Sequence, residues 1–107
     1  MAKIIWHHQA STMLAFHLEY AEQEFGKTTM LRWKKEIKAF EERLFIFPES
    51  YPPETLLNDK PVLYRSRHLM KRRFKIIYYF EASEDAVHIV DIWDSQMSSE
   101  ALVRRIK

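Results

Sequence analysis

Met30, Trp33, Ile37, Phe40, Leu44 and Phe47 recur at alternating intervals of three and four residues. Such a run keeps one apolar stripe on the same side of a helix for about five turns. Lys34, Lys35, Lys38, Glu41 and Glu42 fall on the opposite side. The spacing therefore predicts an amphipathic helix that must bury one face, capped by Thr28 or Thr29 and stopped by Pro48. Just upstream, "ASTMLAFHLEYAEQEFG" repeats Leu14, Leu18, Ala21 and Phe25 on one side, with Ser11 or Thr12 as the expected cap. Gly26 is the only glycine in the chain and stands where a left-handed residue would close that first helix. Two helices joined at one glycine fold back as a hairpin, and the hairpin needs a second apolar surface to cover.

Strand patterns supply that surface. "KIIWH" opens the chain, and "VLYRSRHL", "RFKIIYYFEA" and "AVHIVDIWD" follow the helices, separated by "MKR" and "SED" as turns. "PESYPPETLLNDKP" reads as a proline-rich loop in which "ETLLND" can form one turn. "SSEALVRRI" reads as a short closing helix capped by Ser98. The expected fold is α+β: an N-terminal strand, a two-helix hairpin, then a three-stranded antiparallel meander. All strands share one sheet with the helices on one face, and a short helix ends the chain. At 107 residues, positions 1–107 form a single domain.

Charge is distributed unevenly along this plan. From Lys60 to Phe80 there are seven Lys/Arg and no acid, so the remaining chain carries −5 against an overall +2. Strand alternation puts Phe74, Ile76, Tyr78 and Phe80 on one face and Lys75, Ile77, Tyr79 and Glu81 on the other. With the helices on the Phe74 face, the opposite face is expected to be open. Arg65, Arg67, Lys75 and Tyr79 are expected to share it as a surface for a polyanion or an acidic protein. Lys71, Arg72, Arg73, Arg104 and Arg105 extend that binding surface. A bland alternative is an edge strand that uses charge only to discourage pairing with other sheets.

Other chemistry is thinly represented. There is no cysteine, which removes disulfides and thiolate metal sites. His7 and His8 are adjacent, so in a strand their rings point to opposite faces and do not chelate one ion. No metal and no cofactor are expected. His68 and His88, both in strands, are the candidates for proton transfer. No apolar run reaches the ~20 residues of a membrane helix, and "MAKIIWHHQA" lacks a signal-peptide core, so a soluble cytoplasmic protein without membrane contact is expected.

The element order, with "IIWHHQA", "RLFIFPES" and "LYRSRHLMKRRFKIIYYFE…VHIVDIWDSQ", resembles the RelE/ParE superfamily of bacterial toxins. These are the toxins of type II toxin–antitoxin modules, often described as plasmid stabilisation proteins. The resemblance implies a cognate antitoxin as partner and one of two activities. RelE-like members are ribosome-dependent mRNA interferases, binding RNA and inhibiting translation; ParE-like members bind DNA gyrase without catalysis. Carried over by position, Arg65, Arg67 and Lys75 match the basic sheet residues of the nucleases. With His68 they form the expected catalytic set. Where those nucleases have an arginine and then a tyrosine near the C-terminus, this chain has Gln96 and Leu102. A translation-inhibiting endoribonuclease is the first expectation. A gyrase inhibitor, or an inactive relative that only binds its antitoxin, is the alternative.

Overall fold

The structure is a computed structural model, and it describes residues 1–96 and 99–106. β1 (Lys3–Trp6) leads into α1 (His8–Phe25) and α2 (Lys27–Ile46). A 3₁₀ turn (Thr55–Leu57) interrupts the proline-rich loop before β2 (Tyr64–Leu69), β3 (Phe74–Glu81) and β4 (Ala86–Asp94). α3 (Ser99–Arg105) closes the chain. The expected α+β order is therefore present. One refinement is that β1 joins the sheet parallel to β4, giving the order β1-β4-β3-β2. Among the described residues, no helix is long and apolar enough to cross a membrane.

Gly26 separates α1 from α2 at φ 95° and ψ 166°, a region that only glycine visits readily. It ends one helix and serves as N-cap to the next, so neither Thr28 nor Thr29 caps α2. α1 likewise starts earlier than expected, with His7 in the cap position and no side-chain cap from Ser11 or Thr12. The expected Ser98 cap of α3 lies outside the described residues. The stripe of α2 is buried from Met30 to Leu44, but Phe47 lies beyond the helix end and is exposed. On α1 the buried stripe is Ala10, His17 and Ala21, with Leu14 and Leu18 half-buried, whereas Phe25 is 48% exposed.

The helical hairpin covers Phe74, Ile76, Tyr78, Val87, Ile89 and Ile92. Ile89 and Ile92 are three apart and would face opposite sides of a regular strand. The register between β3 and β4 slips at Ile77/Tyr78, where Asp91 and Ile89 oppose consecutive residues and Val90 is the extra one. This bulge turns both isoleucines toward the helices and sends Asp91 and Trp93 to the other side.

That other side is not open. Ile77, Tyr64 and Trp93 are buried there beneath Leu57 of the 3₁₀ turn and Leu102 and Ile106 at the chain end. A second small core thus occupies the surface that alternation alone assigns to solvent. The proline-rich loop also runs along the outer edge of β2. Glu54 N–H donates to Tyr64 O at 2.8 Å, and Ser66 N–H donates to Pro52 O at 3.3 Å. The edge is therefore covered by main-chain pairing as well as carrying charge.

Candidate functional site

Cross-strand pairs share a face of the sheet, so the register between β2 and β3 assigns every cation to a side. Arg65 opposes Tyr78 and Arg67 opposes Ile76, on the helix side. Tyr64, Ser66 and His68 oppose Tyr79, Ile77 and Lys75 on the other side. The single face expected for Arg65, Arg67, Lys75 and Tyr79 is therefore two faces. Alternation within each strand is as expected; the relative register of the two strands, which it leaves open, separates the residues.

Most of these cations are already engaged. Lys75 Nζ lies 2.6 Å from Glu54 Oε1, and both side chains are nearly removed from solvent. Glu54 also accepts from Ser66 Oγ at 3.0 Å and from Leu56 N–H at 3.1 Å. Burial pushes the Glu54 carboxyl up, but these donors outweigh it and hold the group below its ordinary value. Lys75 additionally sits over the Trp93 ring at 5.2 Å. On the helix side, Arg65 donates to Tyr51 O at 2.8 Å and pairs with Glu49 at 3.4 Å, while Arg67 lies 5.3 Å over the Tyr51 ring. Arg105, expected on a binding surface, is half-buried and pairs with the wholly buried Asp91. Arg104 is exposed.

The β2–β3 turn is different. Lys71 and Arg72 are exposed, and among the described residues no carboxylate forms a salt bridge with Lys71, Arg72, Arg73 or Arg32. Met70, Lys71 and Arg72 all adopt left-handed backbone, at φ 52°, 54° and 68°. Each such non-glycine residue costs roughly 1 kcal/mol, so the turn stands only because its surroundings hold it. Glu36 of α2 accepts from Met70 N–H at 3.3 Å, and the Met70 side chain is buried. Arg73 lies about equally, 5.6 Å, from the centres of the Tyr20, Phe25 and Phe74 rings. Between the turn and the helical hairpin is a groove of about 510 Å³ bordered by Phe25, Arg32, Trp33, Met70, Lys71 and Arg73. It combines aromatic walls with three cations, Arg32, Lys71 and Arg73, set against one carboxylate, Glu36.

The histidines are dispersed. His68 opposes Lys75 on β3, and its pKa is lowered, first by burial and then by Arg72 and Lys75. His88 opposes Tyr79, four residues further along β3 and about 13 Å away. These two therefore do not form one acid–base pair. His88 instead meets His7, with Nδ1 and Nε2 2.9 Å apart, and stacks on Tyr79 at 4.7 Å. Sequence reasoning missed Glu54, Tyr51, Glu36 and His7 as partners. The run Pro52-Pro53-Glu54 marks a stiff loop, but nothing local signals that its carboxylate reaches a sheet lysine.

Comparison with known proteins bears on the whole chain. Solved structures that share the fold include the following two. The first, titled as a chromosomal ParDE toxin–antitoxin system from P. aeruginosa, has TM-score 0.67 and 15% identity. The match covers 88% of this chain and 96% of that one. The isolated RelE toxin of E. coli has TM-score 0.61 and 14% identity, covering 97% and 98%. No curated protein sequence gives a match. A sequence model of one family matches residues 4–98, nearly the full sheet and both long helices. The chain belongs to the family of ParE toxins of type II parDE toxin–antitoxin systems.

Proposed function

We propose that this toxin stops growth by binding DNA gyrase and not by cutting mRNA on its sheet. The observation that carries this reading is the state of the sheet cations. A ribonuclease of this fold needs uncommitted positive charge to meet the developing phosphorane. Here Lys75 is held by buried Glu54 and Arg65 by Tyr51 and Glu49, which leaves Arg67, exposed over the Tyr51 ring, as the member of the expected cationic set without a carboxylate partner among the described residues. The positions where the nuclease resemblance expects an arginine and a tyrosine carry Gln96 and Leu102, and Leu102 is fully buried core. Ribosome-dependent cleavage, the first expectation from sequence, accordingly has the weaker support. Both targets are cytoplasmic, in keeping with the expected compartment.

The antitoxin partner that accompanies this toxin family meets, in this reading, the Lys71, Arg72 and Arg73 turn and its groove. An acidic segment with an apolar anchor complements both the charge and the aromatic walls there. Purified toxin added to gyrase should abolish supercoiling and leave gyrase-linked DNA breaks, and its antitoxin should reverse both. Primer extension on translated mRNA should show no new ends. Cuts in translated mRNA with supercoiling intact would reinstate the nuclease reading.

A further inference from the structure

The two edges of the sheet differ. The β2 edge is covered by the proline-rich loop, whereas β1 lies at the other end of the order β1-β4-β3-β2. Lys3 N–H donates to Asp85 O and His7 N–H to Ile89 O, each at 2.9 Å, so the odd-numbered residues turn their main chain toward β4. Ile4 and Trp6 therefore point their N–H and C=O groups away from the sheet. Among the described residues, those groups have no main-chain partner. The surroundings are apolar. Ala2 N–H donates to Phe45 O at 3.1 Å, which fixes the end of α2 beside β1. Phe45, Ile46 and Phe47 are about half exposed there, and Ile5 is exposed on the face of the strand away from the helices. A groove of about 490 Å³ is bordered by Ile4, Phe45 and Ile46, with Lys38, Glu41 and Glu42 along its α2 wall.

We infer that β1 and the end of α2 form an interface between two copies of this chain, joined by antiparallel β1–β1 pairing about a two-fold axis. Soluble proteins ordinarily block an open edge with charge, proline or a covering loop, because its free groups attract another strand. β1 carries one charge, Lys3, and no proline. With the two Ile5 residues opposite each other, Ile4 of each copy exchanges both main-chain hydrogen bonds with Trp6 of the other. Ile4 and Trp6 pack on the helix side, so this pairing sets the two α2 ends on the same face of the joined sheet. Phe45 and Ile46 of one copy then cover those of the other. Charge selects a second copy as the occupant. Lys38 and Glu42 are exposed one helical turn apart, and neither forms a salt bridge among the described residues. A two-fold axis reverses their order in the partner, so the lysine of each copy faces the carboxylate of the other. An acidic segment, by contrast, would meet two carboxylates and one lysine in this groove.

The mass of purified full-length protein, measured by light scattering, should rise from one chain to two between ~1 and ~200 µM, the range of a small transient interface. Hydrogen exchange read by NMR should slow ~10-fold or more at the Ile4 and Trp6 amides as the dimer fills, and stay unchanged at Lys71. Ile46→Lys should weaken dimerisation by ~10-fold or more, and Phe16→Lys, an equally exposed change on α1, by less than ~2-fold. Lys38→Glu alone should weaken it by ~5-fold, and adding Glu42→Lys should restore it. A monomer throughout the range would overturn the interface, as would a dimer whose Ile4 and Trp6 amides exchange at the monomer's rate. Protection of those amides by antitoxin, with no toxin dimer, would also overturn it and give the edge to a different chain. Should Ile46→Lys fail to fold by circular dichroism, exchange on the wild type decides alone. None of these readouts involves gyrase or mRNA, so the target is tested separately.

Discussion

The basic stretch contains two kinds of cation within a dozen residues. Lys75 and Arg65 lie in strands and are neutralised by Glu54 and Glu49, residues of a loop that folds back over the edge of β2. Lys71 and Arg72 lie in the turn and have no acidic partner among the described residues. The two sets are indistinguishable by local composition. The sheet set contributes to the fold: Lys75 fastens the proline-rich loop through a carboxylate that has left water. The turn set leaves a net positive surface for another molecule. Charge density along a chain thus locates where cations are made available, and tertiary pairing determines which of them remain so.

The largest test of this contrast is Glu54→Ala. Removing one partner of a buried pair leaves the other uncompensated, and the expected loss is about 3 kcal/mol in denaturant unfolding. Lys71→Ala and Arg72→Ala should change stability by less than about 0.5 kcal/mol, as exposed substitutions do. A Glu54→Ala loss below about 1 kcal/mol would place Lys75 with the turn set instead.

Acid should weaken the same link by a smaller amount, since a protonated carboxyl still accepts hydrogen bonds. The Glu54 pKa is lower in the fold than its ordinary 4.5. Its contribution to stability is therefore complete above that value and is lost as pH falls through the lower folded pKa. Unfolding free energy measured from pH 6 downward should decline less steeply in Glu54→Gln than in the wild type.

Binding should show the reverse dependence. Replacing the exposed Lys71 and Arg72 together by alanine should weaken antitoxin binding by ~10-fold at low salt and by less at high salt, with little change in thermal stability. An affinity that is unchanged in calorimetry would show that the turn is not the acidic partner's contact. A gain is expected from one further variant. Arg72→Gly relieves a left-handed residue at φ 68° and should stabilise the fold by up to about 1 kcal/mol while weakening the charge. A destabilised variant would mean that the Arg72 side chain has a structural role.

Much of the architecture was legible because it is encoded at short range. The three-four spacing from Met30 to Leu44 determined α2, Gly26 determined the break between helices, and β-rich runs delimited β2, β3 and β4 within a few residues. Helix starts were less legible. Gly26 and His7 occupy the cap positions without side-chain bonds, so the nearby Ser and Thr residues were misleading signals. The second apolar layer was missed because Leu57, Leu102 and Ile106 lie in short segments too small to show periodicity.

By itself the sequence determined the helical hairpin, the strands and a segment of seven cations without an acid. The tertiary structure decided which side of the sheet each cation occupies and whether it is neutralised. The physical reason is range. Lys75 meets a carboxylate 21 positions away, Arg105 meets one 14 positions away, and His7 meets His88 across 81 positions. Residue spacing determines which side chains share a face of one helix or strand. Only the register between strands and the path of the loop bring such distant groups together.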